Sequence, residues 1–124
     1  KLIEHLSKDG HTLVDAEESF DADLVTRKDG EKHFSEAEVK TAWTGDWPTH
    51  WKEIRIPERK KKLLSKHTNN LKFYVFSGDM SKAWCIDSSL LTDDKLKEAS
   101  GRNIYQGEQF YHVPYTEAQL INVA

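Results

Sequence analysis

The stretch that decides the fold is Asp21-Ala22-Asp23-Leu24-Val25-Thr26-Arg27-Lys28-Asp29-Gly30, continued by Glu31-Lys32-His33-Phe34-Ser35-Glu36-Ala37-Glu38-Val39-Lys40. Its first half is rich in strand formers. Asp29-Gly30 is the strongest short-range signal for a hairpin turn. Glu31 to Trp43 can then run back as the second strand, with Phe34, Val39 and Trp43 as packing residues. A two-residue turn pairs Lys28 with Glu31. The same register sets Asp23 opposite Glu36 and Asp21 opposite Glu38.

Working outward, Leu2, Ile3 and Leu6 form an apolar stripe on a short opening helix that ends near Asp9-Gly10. His11 to Val14 reads as a short strand. Beyond the hairpin, Thr44 to Trp51 is a loop carrying Gly, Pro and two Trp. Pro57 suits the first position of a helix from Glu58 to about His67, with Leu63, Leu64 and His67 on one side. Leu71 to Ser77 and Met80 to Asp87 read as strands around a Gly78-Asp79 turn. Thr92 can cap a helix through Ala99. Gln109 to Val113 reads as a last strand, and Thr116 with Gln119 resembles a capping box for a terminal helix. The order suggests one α/β domain over residues 1–124, with a mixed central sheet flanked by helices.

Composition sets the outer bounds. A chain of 124 residues is short for two independent cores. Thirteen aromatic residues supply enough apolar surface for a small core, which excludes a disordered chain. Cys85 stands alone, so an internal disulfide framework and a Cys-rich zinc site are excluded. No apolar run reaches the roughly 18 residues of a membrane span, so no membrane partner is expected. No signal peptide pattern is visible, and the sequence starts at Lys1 without a Met. The net charge of -3 argues at first against a nucleic-acid partner.

Charge distribution reverses that first impression. Lys52 to Lys66 holds Lys52, Arg55, Arg59, Lys60, Lys61, Lys62 and Lys66 against Glu53 and Glu58, a net +5 that leaves -8 for the rest. A basic stripe of this kind is an electrostatic footprint for phosphates. On the hairpin, Glu36, Glu38 and Lys40 alternate onto one strand face, with Asp23 across from Glu36. Carboxylates this close repel unless a proton or a cation intervenes. A hard divalent cation relieves the repulsion, and Mg²⁺ is commonly held by one or two carboxylates plus water and substrate phosphate. Lys40 could orient a water or stabilise a transferring phosphoryl group. Val39 and Ala37, on the other face, are expected to pack and keep the group rigid. The same spacing also describes a solvated charged face.

Asp23 (in FDADLV) followed by Glu38-Val39-Lys40 (in AEVKTAW), behind a helix and a strand, resembles the PD-(D/E)XK nuclease superfamily. The opening KLIEHLSKDGHTLV resembles the segment that precedes this motif in Holliday junction resolvases. The likeness covers residues 1–87. It implies a restriction endonuclease-like core in αβββαβ order. It implies Mg²⁺, with Mn²⁺ as an alternative, held by Asp23, Glu38 and the backbone carbonyl of Val39, and assisted by Glu4 on the first helix. It further implies Lys40 serving the attacking water, DNA as substrate, a homodimer as one way to cut two strands, and action inside the cell, cytoplasmic or virus-encoded. Ala22 stands where the motif often has Pro. Asp21 competes with Asp23 for the metal. Arg55, Arg59, Lys60, Lys61, Lys62 and Lys66 are the expected DNA contacts. Trp43, Trp47 and Trp51 either stack on bases or anchor the core. The alternatives are a non-catalytic nucleic-acid-binding module or a protein-interaction module on the same fold.

Overall fold

In the computed structural model, residues 1–14, 22–66, 70–98 and 107–123 are described. Helix α1 (Leu2–Lys8) and strand β1 (Thr12–Leu13) lead into the hairpin β2 (Leu24–Lys28) and β3 (Glu31–Lys40). Strand β4 (Glu53–Pro57), a 3-10 turn and helix α2 (Lys61–Lys66) come next, followed by β5 (Leu71–Ser77) and β6 (Lys82–Asp87). Strands β7 (Leu96–Glu98), β8 (Gln109–Pro114) and β9 (Gln119–Asn122) complete the order. The architecture is mixed α/β with few helices. Among the described residues no helix is long and apolar enough to cross a membrane.

The hairpin has the register read from its turn: Lys28 faces Glu31 and Leu24 faces Ser35. Asp29 and Gly30 both take positive φ, 53° and 80°, as a twist-matched two-residue turn requires. Strand β2 runs antiparallel to both β1 and β3, whereas β5 joins β3 in parallel, and the full order is β1-β2-β3-β5-β6-β9. A parallel pair needs a long crossover, and residues 41–70 supply it through β4 and α2.

That crossover holds the main departure from the sequence reading. Glu53 to Pro57 is a strand, edge member of a second, antiparallel sheet in the order β4-β8-β7. Its alternation places Ile54 and Ile56 inside and Glu53 and Arg55 outside. Pro57 is tolerated because β4 pairs on one side only. The expected helix over Glu58–His67 begins as a 3-10 turn at Glu58–Lys60 and continues as α2. His67 lies outside the described residues. One face of the large sheet is covered by the second sheet and α2, and not by helices alone. Between them lies the larger core, built from Trp43, Ile54, Ile56, Leu63, Leu71, Phe73, Val75, Trp84 and Ile86 with Tyr111 and Val113. The opposite face carries a smaller cluster in which Leu6 of α1 meets Tyr74, Phe76, Ala83 and Val123.

Two expected helices are also strands. Thr92 bonds the Asp94 carboxylate in place of a backbone N–H. One 3-10 turn follows, and Leu96–Glu98 then pairs with β8. Thr116 falls in a 3-10 turn, after which Gln119–Asn122 adds to the edge of β6. In both places a ladder of interstrand bonds outweighs a local cap. Strand β3 ends at Lys40, and Trp43 lies beyond a turn, fully buried. Gly78 lets the chain pass against that turn, since a Cβ there would come within 2.8 Å of the Thr41 carbonyl oxygen.

Candidate active site

Each even-numbered residue of β3 shares a face with its parallel partner on β5. Phe34, Glu36, Glu38 and Lys40 stand beside Leu71, Phe73, Val75 and Ser77. They therefore lie on the side of the larger core, where three of those partners are packed. Ile54, Arg55 and Ile56 of β4 border the same grooves as Glu36, Glu38 and Lys40, so these polar side chains meet the margin of the second sheet.

Glu36 is the buried member, 5% exposed. Its Oε1 accepts a 2.8 Å charge-assisted bond from the Lys60 ammonium, delivered by the 3-10 turn after β4. Its Oε2 accepts from the Asp23 N–H at 2.6 Å. Asp23 reciprocates, its Oδ2 accepting from the Ala37 N–H at 2.9 Å. The Asp23 carboxylate thus takes the place of a strand partner just where β2 begins. The expected apposition of Asp23 and Glu36 is present, and a shared backbone relieves its repulsion together with Lys60.

Glu38 stands two residues along, exposed at the rim. Partial desolvation pushes its pKa up, opposed by the positive charges of Lys60, Arg59 and Lys40. Lys40 lies over the Trp51 ring, 5.0 Å from its centroid. A groove of about 260 Å³ is lined by Glu38, Val39, Lys40, Ile54 and Arg55. A second groove of about 470 Å³ is lined by Lys40, His50, Trp51, Lys52, Glu53 and Arg55. Lys40 and Arg55 wall both.

The expected site residues therefore separate. Asp23, Glu38 and Lys40 share one stretch of β3 and its flank. Among the described residues Ala37 and Val39 are not packed on the other face as expected; both are exposed, Val39 at 46%. The Val39 backbone carbonyl points the same way as that of Ala37, whose N–H meets Asp23, toward the edge of β3 that β2 leaves open among the described residues. Glu4 is exposed on α1, whose Leu6 packs on the far face of the sheet, so it is not brought to Glu38. Asp21 lies outside the described residues.

The basic segment is also redistributed. Lys60 turns inward to Glu36. Arg59 approaches Glu108 at 3.6 Å and Lys61 approaches Asp93 at 3.7 Å, two loose surface pairs, the second exposed on both sides, worth little in stability. Arg55 and Lys62 are exposed. The Lys66 side chain lies outside the described set. Trp43 and Trp84 are core residues, stacked with centroids 6.3 Å apart, and Trp47 meets both edge-on. Only Trp51 borders the groove. The sequence reading missed Lys60 as the partner of Glu36 because that contact crosses 24 positions; it also missed the Ile54/Ile56 alternation, which was visible as a period of two.

As a metal site the donor chemistry fits a hard cation: carboxylate oxygens at Asp23 and Glu38 and an edge carbonyl at Val39. Among the described residues no group of three or more His, Cys, Asp or Glu side chains gathers closely enough to hold a metal. Side chains would thus supply two ligands at most, and water or substrate the rest. No protein family, curated protein or solved structure matches this chain.

Proposed function

We propose that the chain is a metal-dependent nuclease acting on DNA, with Glu38, Asp23 and Lys40 at its centre. One observation carries this reading. A carboxylate with a raised pKa and an ammonium two residues away share one strand face and open into a groove walled by Arg55. The chain order supports a restriction endonuclease-like core: an antiparallel β1-β2-β3 meander, a crossover containing a helix, and β5 returning parallel to β3. The sequence resemblance supports the same residues: Asp23 lies just before β2, and Glu38-Val39-Lys40 ends β3.

Asp23 and Glu38, with the Val39 carbonyl, would hold Mg²⁺ or Mn²⁺. The ion when bound supplies charge neutralisation at the scissile phosphate and a more acidic water. Lys40 orients the attacking water and stabilises charge developing on phosphate oxygens. Its place over Trp51 restrains the long side chain, so less rotamer freedom is lost when it acts. Arg55 and Lys52 line the neighbouring groove, where a phosphate backbone would be held by charge. Glu36 and Lys60 hold the floor of the site and take no part in the chemistry.

A second reading, a non-catalytic nucleic-acid-binding module, draws on the engagement of Asp23 with the Ala37 N–H, which leaves Glu38 as the principal uncommitted carboxylate. A cleavage screen separates the two. Duplex, single-stranded and branched DNA are incubated with the full chain and Mg²⁺ or Mn²⁺. Cleavage lost on chelation and in Lys40→Ala supports the nuclease. Salt-sensitive binding to DNA without cleavage under either metal supports the binding module.

A further inference from the structure

On the far face of the large sheet, under α1, lies a cavity of about 240 Å³ that the proposed nuclease site does not use. Its chemistry is cationic. His5 comes from α1, His11 from the turn before β1, Lys28 from β2, His33 from β3 and Lys72 from β5. Among the described residues Asp9 is the only carboxylate in the lining, and it is already engaged by Lys28 at 3.0 Å. Asp87 stands across from Lys72 in the β5–β6 ladder, but its Oδ1 accepts the Ser89 N–H.

The two imidazoles at the centre are in contact. The rings of His11 and His33 meet edge-on, 4.8 Å between centroids. The His11 side chain is only 8% exposed, and its Nδ1 lies 2.8 Å from the Thr26 hydroxyl. Its Nε2 is 3.7 Å from Asp9, beyond a hydrogen bond. Burial, then the positive charges of His33, Lys28 and Lys72, hold the His11 pKa below its ordinary value, with Asp9 pulling the other way. Five basic groups from five segments thus converge on a concave space with, among the described residues, one carboxylate, itself already paired. Self-repulsion of this kind is relieved by an anion seated between the groups.

We propose that this cavity is a binding site for a phosphate group, free or at the end of a small monoester, held by His11, His33 and Lys72. Two imidazole N–H groups and an ammonium are donors suited to a phosphate, and the ammonium makes a charge-assisted bond. The volume leaves room for more than the phosphate itself. Binding draws a proton onto His11, so affinity falls as pH rises through its titration.

The test follows the histidine ring resonances of the full chain by NMR. Inorganic phosphate is titrated at constant ionic strength, with chloride as control and a nucleoside monophosphate as a second arm. Saturable shifts of the His11 and His33 ring resonances, with upward movement of the His11 pKa, are expected for phosphate and not for chloride. Tighter binding of the monophosphate assigns the ligand as a monoester, and equal or weaker binding assigns free phosphate. Lys72→Gln, on an exposed strand position, should weaken binding about tenfold, the loss of one charge-assisted bond. His33→Gln should do the same. Shifts that match chloride, or unchanged affinity in Lys72→Gln, overturn the proposal. Neither readout depends on DNA cleavage, so the result stands apart from that of the nuclease screen.

Discussion

Glu36 and Glu38 lie two residues apart on one face of one strand, yet the fold treats them oppositely. Glu36 is buried with both oxygens engaged, one by Lys60 and one by the Asp23 N–H. Glu38 is at the rim, with its pKa raised and nearby cations that do not bond it. The difference teaches that a carboxylate row on a strand is not one site. Its buried end is bound up in holding two strands and a turn together, whereas its rim end retains the capacity to bind something else.

Several expected outcomes would break or sharpen that contrast. The largest concerns cleavage: Glu38→Ala and Lys40→Ala should each lose about 100-fold or more in rate, the scale of a lost acid, base or charge stabiliser, with circular dichroism unchanged. Undiminished cleavage in both would remove the rim from the chemistry. Next, Glu36→Ala should cost about 3 kcal/mol in a urea melt, because it strands the Lys60 ammonium and the Asp23 N–H. A melt unchanged from the parent would show that Glu36 is no more structural than Glu38. Trp51→Leu should then cost about 0.5–1 kcal/mol more in the parent than in a Lys40→Met background, the lost attraction between its ring and Lys40 over and above its packing, read in the same melt.

The smallest effect is a slope. A carboxylate whose pKa is raised on folding contributes stability that is complete below its unfolded pKa and lost as pH rises through its folded pKa. Stability should therefore decline from Glu38 as pH rises above about 4.5, and Glu38→Gln should flatten that decline. Added Mg²⁺ should reverse the slope in the parent, since the cation binds the ionised form. A decline of equal steepness in Glu38→Gln would assign it to another group.

The elements that could be read from the chain are those whose partners are close in sequence. Asp29-Gly30 dictates a tight turn, the turn dictates the pairing of Lys28 with Glu31, and the pairing brings Asp23 to Glu36. The opening helix, β5 and β6 follow from local pattern as well. Glu53 to Pro57 was legible as alternation but was masked by the charge run around it. Thr92 and Thr116 carried cap signals that lost to strands pairing with β8 and β6, a competition that no local window can weigh.

The sequence alone therefore determined the hairpin, its register and the row of charges on β3, because side-chain alternation and turn geometry are local properties of the backbone. Which of those charges is buried, and which faces a groove, depended on where Lys60, Trp51 and the second sheet arrive. Those contacts bridge many positions and exist only once the crossover has packed. The cationic cavity under α1 is decided the same way, since His11, His33 and Lys72 become neighbours only when β1, β2, β3 and β5 form one sheet.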